Sequence, residues 1–332
     1  MENKRLDFVD ALKSFGIFLV IWGHAIVQLG GYPANYTYLV IYSFHMPLFF
    51  IISGFFFKSS LKLEPKDFLL KKGFQLLYPW LIWCLIVAVF QLATHQLDNH
   101  NYYQKGILIF NRWFWFLRSL LLSYVLAYFA YKIFKKGYLV AIFGILFVLF
   151  APFFKIQSFY FPLFLLGIWL KENYSLICKH LNTILYLAFF IFVCSLFFQN
   201  GDHLTAYPSF FSYETYSYII PNLSLPLFRG LIGIAGSLFF FALFQKTWKN
   251  NRFYSYLKQR GRYTLGIYIL QTVVVENIFP QILSFQYVNK WVYALLIAPV
   301  LSLALLEIFT IMMKWLEKRK ILVKILFGNA YG

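Results

Sequence analysis

A lysine and a histidine, Lys13 and His24, stand eleven residues apart in the first long apolar stretch of this chain. Eleven residues of α-helix make almost whole turns, so the two side chains share one face, about 16 Å apart along the axis. An ionisable side chain inside hydrocarbon is costly and marks a functional site. A cation near one surface and an imidazole well inside would suit a long anionic cofactor with a reactive far end. Imidazole is readily tuned for proton transfer near neutral pH; bonding a neighbouring helix is the alternative role for His24. Asp10 lies about four turns before it.

The second apolar stretch reads Ser43-Phe44-His45-Met46-Pro47-Leu48-Phe49-Phe50-Ile51-Ile52-Ser53-Gly54. If it returns antiparallel to the first, His45 and His24 come to matched depth, each about two turns from the same surface. Pro47 should kink the helix and free a carbonyl near that level. Ser53 and Gly54 permit close helix packing. The fourth stretch carries Trp115 and Arg118, and Arg118 could hold a carbonyl or sugar oxygen or snorkel outward. Arg229 carries the same ambiguity. Gln271 and Glu276 lie in the ninth stretch and Glu307 in the tenth. Neither carboxylate can stay charged and unpaired in hydrocarbon, so each is either protonated or paired with a cation.

These residues need helices in a bilayer to position them. The 332 residues are 61% hydrophobic and only 13% charged, with 42 Phe, 25 Tyr and 9 Trp. No soluble core of this length needs so much apolar surface. A bilayer span takes about 20 apolar residues, and the chain reads as ten spans, Leu12–Gly30, Tyr38–Phe57, Phe74–Thr94, Trp113–Phe134, Tyr138–Phe153, Phe159–Leu170, Thr183–Gln199, Leu225–Phe244, Tyr263–Leu283 and Trp291–Trp315. The fifth and sixth are short, which leaves three alternatives: tilt, a break at Pro152 or Pro162, or packing inside the bundle. The first lacks a small-residue cleavage site and reads as a retained helix rather than a signal peptide.

The net charge of +18 could suggest nucleic acid, but its distribution argues otherwise. With the N-terminus in the cytoplasm, most Lys and Arg fall in inner segments, including Lys58 to Lys72, Lys246 to Arg262 and Lys314 to Lys324. This bias supports an even number of spans and that orientation. The expectation is an all-α polytopic membrane protein, a single domain over 1–332, with about ten transmembrane helices and both termini cytoplasmic. The outer loops 96–111 and 200–224 differ. The second is rich in Tyr, Ser, Asn and Pro and free of Lys and Arg, suiting either sugar binding or an interfacial aromatic belt. Cys84, Cys178 and Cys194 match no metal or disulfide pattern and read as small buried hydrophobes. On the inner side, Lys13, Lys71 and Lys72 could hold the phosphates of coenzyme A, although positive-inside topology and anionic lipids explain most basic residues.

Several motifs in fixed order resemble the integral-membrane acyltransferase family 3, and within it the fucose 4-O-acetylase-like O-acetyltransferases. They are Arg5…Asp10-Ala-Leu-Lys13…Gly23-His24, Phe44-His45-Met46-Pro47-Leu48-Phe49-Phe50…Ser53-Gly54, Trp115-Phe116-Leu117, Phe164-Leu165-Leu166-Gly167 and Gly266-Ile267-Tyr268-Ile269. The resemblance implies a ten-helix core that takes an acyl group from cytoplasmic acyl-CoA and passes it to a hydroxyl outside, usually on a surface glycan. It implies an essential His24 supported by Lys13. The family often has Arg where Lys13 stands, Pro where Arg118 stands and His near Gln271.

The expected enzyme is therefore a multi-pass O-acetyltransferase of a bacterial cytoplasmic (inner) membrane. Acetyl-CoA is its co-substrate; it needs no metal and no nucleic acid, only membrane lipids and a surface glycan or lipid-linked sugar as acceptor. His24, His45 and Arg118 are the catalytic candidates. Arg5, Asp10, Lys13, Lys71 and Lys72 are the candidates for the donor, and Trp115, Gln271 and Glu276 for the acceptor. Two other readings stand beside it, and the first uses the same buried charges. One is a proton-coupled transporter relaying through Glu276, Glu307 and the histidines; the other is a subunit of a glycan-export machine.

Overall fold

The computed structural model describes residues 6–32, 35–94, 114–150, 155–199, 224–249 and 251–331. Arg5, His95, His100, Arg112, Trp113 and the expected outer loops lie outside them, apart from Ser224. The described residues form helices and no strand. Helix α1 is Asp7–Gln28, α2 Tyr36–Phe55, α3 Pro65–Ala93, α4 Trp115–Phe134, α5 Gly137–Phe150 and α6 Lys155–Glu172. Then follow α7 Leu181–Phe197, α8 Ser224–Thr247, α9 Arg252–Gly261, α10 Thr264–Ile282, α11 Lys290–Glu317 and α12 Lys320–Phe327.

The described part of each expected stretch is helical apart from end residues such as Gly30, Gln199 and Leu283. Seven helices (α1, α2, α3, α4, α8, α10 and α11) are long and apolar enough to cross a membrane. The apolar α5 and α7 are shorter, and α6 contains Pro162. Large apolar side chains such as Leu85, Ile133, Phe197 and Ile311 stand more than half exposed, an arrangement costly in water and suited to a hydrocarbon surround.

Local chemistry sets the helix ends. Asp7 and Asp10 occupy the first turn of α1, where carboxylates complement the helix dipole. Past its far end Gly31 adopts φ +69°, a conformation other residues strain to reach. The Asn35 side chain caps α2 by accepting from Thr37 N at 2.8 Å, and Asn289 caps α11 by accepting from Trp291 N at 2.9 Å.

Helices α1 and α2 form the centre. In their apolar windows 72% and 78% of residues are buried, against 33% in α3 and in α11. Helix α2 crosses α6 backbone to backbone. A Cβ added at Gly54 would stand 1.9 Å from Phe164 O, and one added at Gly167 would stand 2.0 Å from Ile51 O. The Ser53-Gly54 and Phe164…Gly167 motifs are thus the two sides of one contact. Gly54→Ala should force the helices apart, because a carbonyl cannot move as a side-chain tip can. Overpacking of that kind costs about 1–3 kcal/mol or more. The expected outcome is a lower apparent Tm and yield in detergent, whereas Gly73→Ala, with nothing within 4 Å of its added Cβ, should melt like the parent.

At the end bearing the N-terminus, ion pairs tie the short α9 to its neighbours. Lys258 meets Asp7 at 2.7 Å, Arg260 binds Glu307, and Arg262 binds Glu317. Glu307 is therefore paired, one of the two alternatives open to it. The segment after α12 folds back beneath α10. Tyr331 OH accepts from Gly266 N at 2.5 Å and donates to Tyr263 O at 3.3 Å, and burial raises the Tyr331 pKa. Cys84 is buried, but Cys178 is exposed, against the expectation for it. It sits at the end of a short surface helix, Tyr174–Lys179, where Gln245 Nε2 approaches its Sγ at 3.1 Å.

Candidate functional site

Helical spacing on α1, α2 and α10 builds two adjoining cavities. Lys13, Ile17 and Val20 of α1 line the first, of about 300 Å³; Val20, His24 and Val27 line the second, of about 250 Å³. On α2, Ser53, Phe49 and Met46 face the first, while Met46, His45, Tyr42 and Tyr38 face the second. On α10 the order is Thr264, Leu265 and Tyr268, then Tyr268, Thr272 and Glu276. Val20, Met46 and Tyr268 line both, so the cavities meet at these side chains. The eleven-residue spacing thus acts as expected, with Lys13 on the first cavity and His24 on the second along one face.

The first cavity is basic. Lys13 Nζ lies 3.4 Å from Asp10 Oδ1 and 5.2 Å from the centre of the Phe56 ring. Lys72 stands 3.7 Å from the centre of the Tyr124 ring and 3.4 Å from Gln75 Oε1. Arg262 and Ala330 complete that end. Two expected residues do not reach the cavity. Lys71 is exposed and lines neither cavity, since one residue turns a helical side chain by about 100°. Asp10 is 5% exposed and lines neither; its place is beside Lys13.

The second cavity holds the imidazoles. His24 keeps 22% of its side-chain surface accessible, and its Nδ1 lies 3.3 Å from Glu276 Oε1. Glu276 belongs to a π turn, Val274–Ile278, within α10. In an α-helix residues five apart diverge, but the i→i+5 bonding of a π turn brings them onto one side. So Gln271 Nε2 reaches Glu276 Oε1 at 3.2 Å and Asn277 Nδ2 reaches Thr272 O at 2.8 Å. Gln271 is fully buried and lines neither cavity. It stands behind the carboxylate instead of facing the space where an acceptor was expected.

His45 is 1% exposed, and its Nδ1 lies 2.8 Å from Ile41 O. As a carbonyl can only accept, Nδ1 is the donor and Nε2 of the neutral ring is left as an acceptor. Tyr42 lies between the histidines, with ring centroids 5.9 Å from His24 and 4.5 Å from His45. It fits there because Gly23 has no side chain: a Cβ at that position would meet the Tyr42 ring at 2.6 Å. Trp115 lines this cavity, with Tyr38 and Tyr160.

Arg118 is half-buried and lines neither cavity. The guanidinium in the second cavity is Arg229 of α8, 4% exposed, whose Nη2 donates to Tyr42 O at 2.9 Å. Pro47, five residues on, lacks the N–H that would pair with Ser43 O, so the freed carbonyl is the one next to Tyr42 O. The sequence signal for Arg229 was its apolar surroundings; its direction of approach was missing. Tyr268, at the meeting of the cavities, was visible only as part of a weak motif.

Chemically, a carboxylate on Nδ1 holds an imidazole in the tautomer that leaves Nε2 as a base and stabilises the imidazolium that forms, as in hydrolytic triads. One cavity is lined by cations and by apolar side chains as far as Val20, Met46 and Tyr268, where it adjoins the cavity of that imidazole. The other offers aromatic faces and buried polar groups.

A family model described as an acyltransferase domain matches residues 6–327. The chain is also similar to the nodulation protein NolL of Sinorhizobium fredii, with 32% identity over 136 residues, covering 38% of this chain and 36% of that protein. The match thus spans little more than a third of that relative's length. No solved structure matches.

Proposed function

The chain belongs to the integral-membrane acyltransferase family, and from that premise we propose that it moves an acetyl group from acetyl-CoA to a sugar hydroxyl on the far side of a bacterial cytoplasmic membrane. Ten helices cross, with both termini cytoplasmic, which puts the basic cavity on the donor side. The observation that carries this reading is the pair of cavities adjoining at Val20, Met46 and Tyr268, with Lys13 and Lys72 on one and the His24–Glu276 pair on the other. A molecule with phosphates at one end and a thioester at the other fits that order.

In this scheme Lys13, Lys72 and Arg262 meet the donor's phosphates, Asp10 holds Lys13, and the pantetheine arm rises along the apolar wall toward His24. His24 Nε2 removes the proton of the acceptor hydroxyl as its oxygen attacks the thioester carbonyl carbon. The C–S bond breaks, and the imidazolium returns the proton to the departing sulfur, giving the acetyl ester and free CoA thiol. Glu276, expected to hold the acceptor, is instead the group that orients His24, and Gln271 holds Glu276 in turn. His45 presents an acceptor nitrogen to the sugar. Tyr38, Tyr42, Trp115 and Tyr160 supply flat faces for its ring, a surface that suits a glycan or lipid-linked sugar.

The transporter reading needs Glu276 and Glu307 in one relay. Glu307 is bound to Arg260 and Tyr256 and lines neither cavity, which favours acyl transfer. Purified protein in liposomes, given acetyl-CoA labelled in its acetyl group, should place label on isolated surface glycan. Solute uptake that needs no acyl-CoA would contradict the proposal. Lys13→Ala and Lys72→Ala should each raise KM for acetyl-CoA about tenfold or more, the worth of one charge-assisted phosphate contact, with kcat much less affected. Lys71→Ala should leave KM unchanged.

A further inference from the structure

The acetyl transfer described above leaves one charge in the second cavity without a task. Arg229 lies 4% exposed on the wall that also bears His24, Tyr38 and Trp115. A guanidinium offers five N–H donors. Nη2 uses one on Tyr42 O at 2.9 Å, and Nε meets no hydrogen-bond acceptor among the described residues. No ion pair joins Arg229 to a carboxylate among the described residues either. Glu276, which shares the cavity, turns its Oε1 to His24 and Gln271. A cation removed from water with few acceptors is unfavourable unless something completes its shell.

We propose that Arg229 selects acceptor sugars bearing an anionic oxygen group, a carboxylate or a phosphate, and binds that group in the second cavity. This inference rests on the acetyl-transfer reading for its ligand class, since it names which sugars enter. Sugar hydroxyls need no buried cation; neutral donors such as tyrosine hydroxyls satisfy them. A planar guanidinium matches carboxylate and phosphate oxygens, which it binds through paired N–H groups. The neighbouring aromatic rings can hold the apolar face of the same sugar, so one cavity would read both ring and charge while His24 meets a hydroxyl.

Binding without acetyl-CoA tests this directly. Calorimetric titration of the full chain in detergent would compare methyl glucoside, methyl glucuronide and methyl glucoside 6-phosphate. The two charged glycosides should bind at least about tenfold tighter than the neutral one, as a charge-assisted contact allows. Whether carboxylate or phosphate binds tighter identifies the source of the charge. Arg229→Gln should abolish the preference, and Arg229→Lys, which keeps the charge but loses the planar fork, should retain part of it. Equal affinity for all three sugars, or a preference that survives Arg229→Gln, overturns the inference. A uniform fall in kcat across acceptors, without any binding preference, would also overturn it and assign Arg229 to the reacting carbonyl oxygen. Because the titration needs no turnover, transfer without preference defeats only this inference, and preference without transfer defeats only the enzymatic reading.

Discussion

Replacing His24 with alanine should reduce acetyl transfer by at least about 10³-fold, within the range that a positioned general acid–base group contributes. His24 lines the second cavity one helical turn from Val20, where the two cavities meet, and its Nδ1 faces Glu276. Removing the imidazole leaves Glu276 with Gln271 alone and the acceptor hydroxyl without a base. Binding of acetyl-CoA should survive, because Lys13 and Lys72 lie on the other cavity. The expected signature is therefore a collapse of kcat with nearly unchanged donor affinity, partly restored by imidazole added to the buffer. Transfer at the parental rate in this variant would remove His24 from the mechanism.

Glu276→Gln should be the next most damaging change, lowering kcat by about 10²–10⁴-fold. Making the carboxylate of a Ser-His-Asp triad an amide has a cost at the upper end of that range. The reason is tautomeric. A carboxylate can only accept, so it keeps the proton on Nδ1 of His24 and the lone pair on Nε2. An amide can present its N–H to Nδ1 instead, leaving the proton on Nε2, where the base is needed. The resulting imidazolium would also lose its counter-charge. Acetyl-CoA KM should change little, since a pure loss of transition-state stabilisation appears in kcat. If KM for the acceptor rises while kcat holds, Glu276 touches the sugar and not the chemistry. Glu276→Asp, shortened by one methylene, should fall between the parent and the amide.

Much of this arrangement was legible in the chain. The spacing of Lys13 and His24 determined that they share a face, because helical periodicity is a local property of the backbone. The alternation of apolar runs with basic segments predicted an all-helical membrane bundle, because backbone groups in lipid must be satisfied within a segment. Gly23 and Gly54 stood in recognisable motifs, and each removes a side chain where another element needs the space. The sequence also brought His45 to the level of His24, and both line one cavity.

Other assignments depended on rotation and on partners distant in the chain. Lys71 and Lys72 look equivalent in sequence, yet one turn angle exposes the first and brings the second to the cavity. Gln271 and Glu276 were grouped as acceptor ligands. The π turn places one behind the other, and no periodicity rule announces such a turn. Arg118 and Arg229 were equally ambiguous until the packing of α8 against α2 brought Arg229 to Tyr42 O and left Arg118 off both cavities.

The sequence by itself thus determined the helices, the shared face of Lys13 and His24, and the family, because each follows from local spacing or ordered motifs. Only the tertiary structure decided that Glu276 belongs to His24, that Arg229 enters the second cavity, and that two cavities meet at Val20, Met46 and Tyr268. Those facts depend on how helices far apart in the chain rotate and pack against one another, and a side chain's partner across such an interface is set by three-dimensional close packing rather than by its neighbours in the chain.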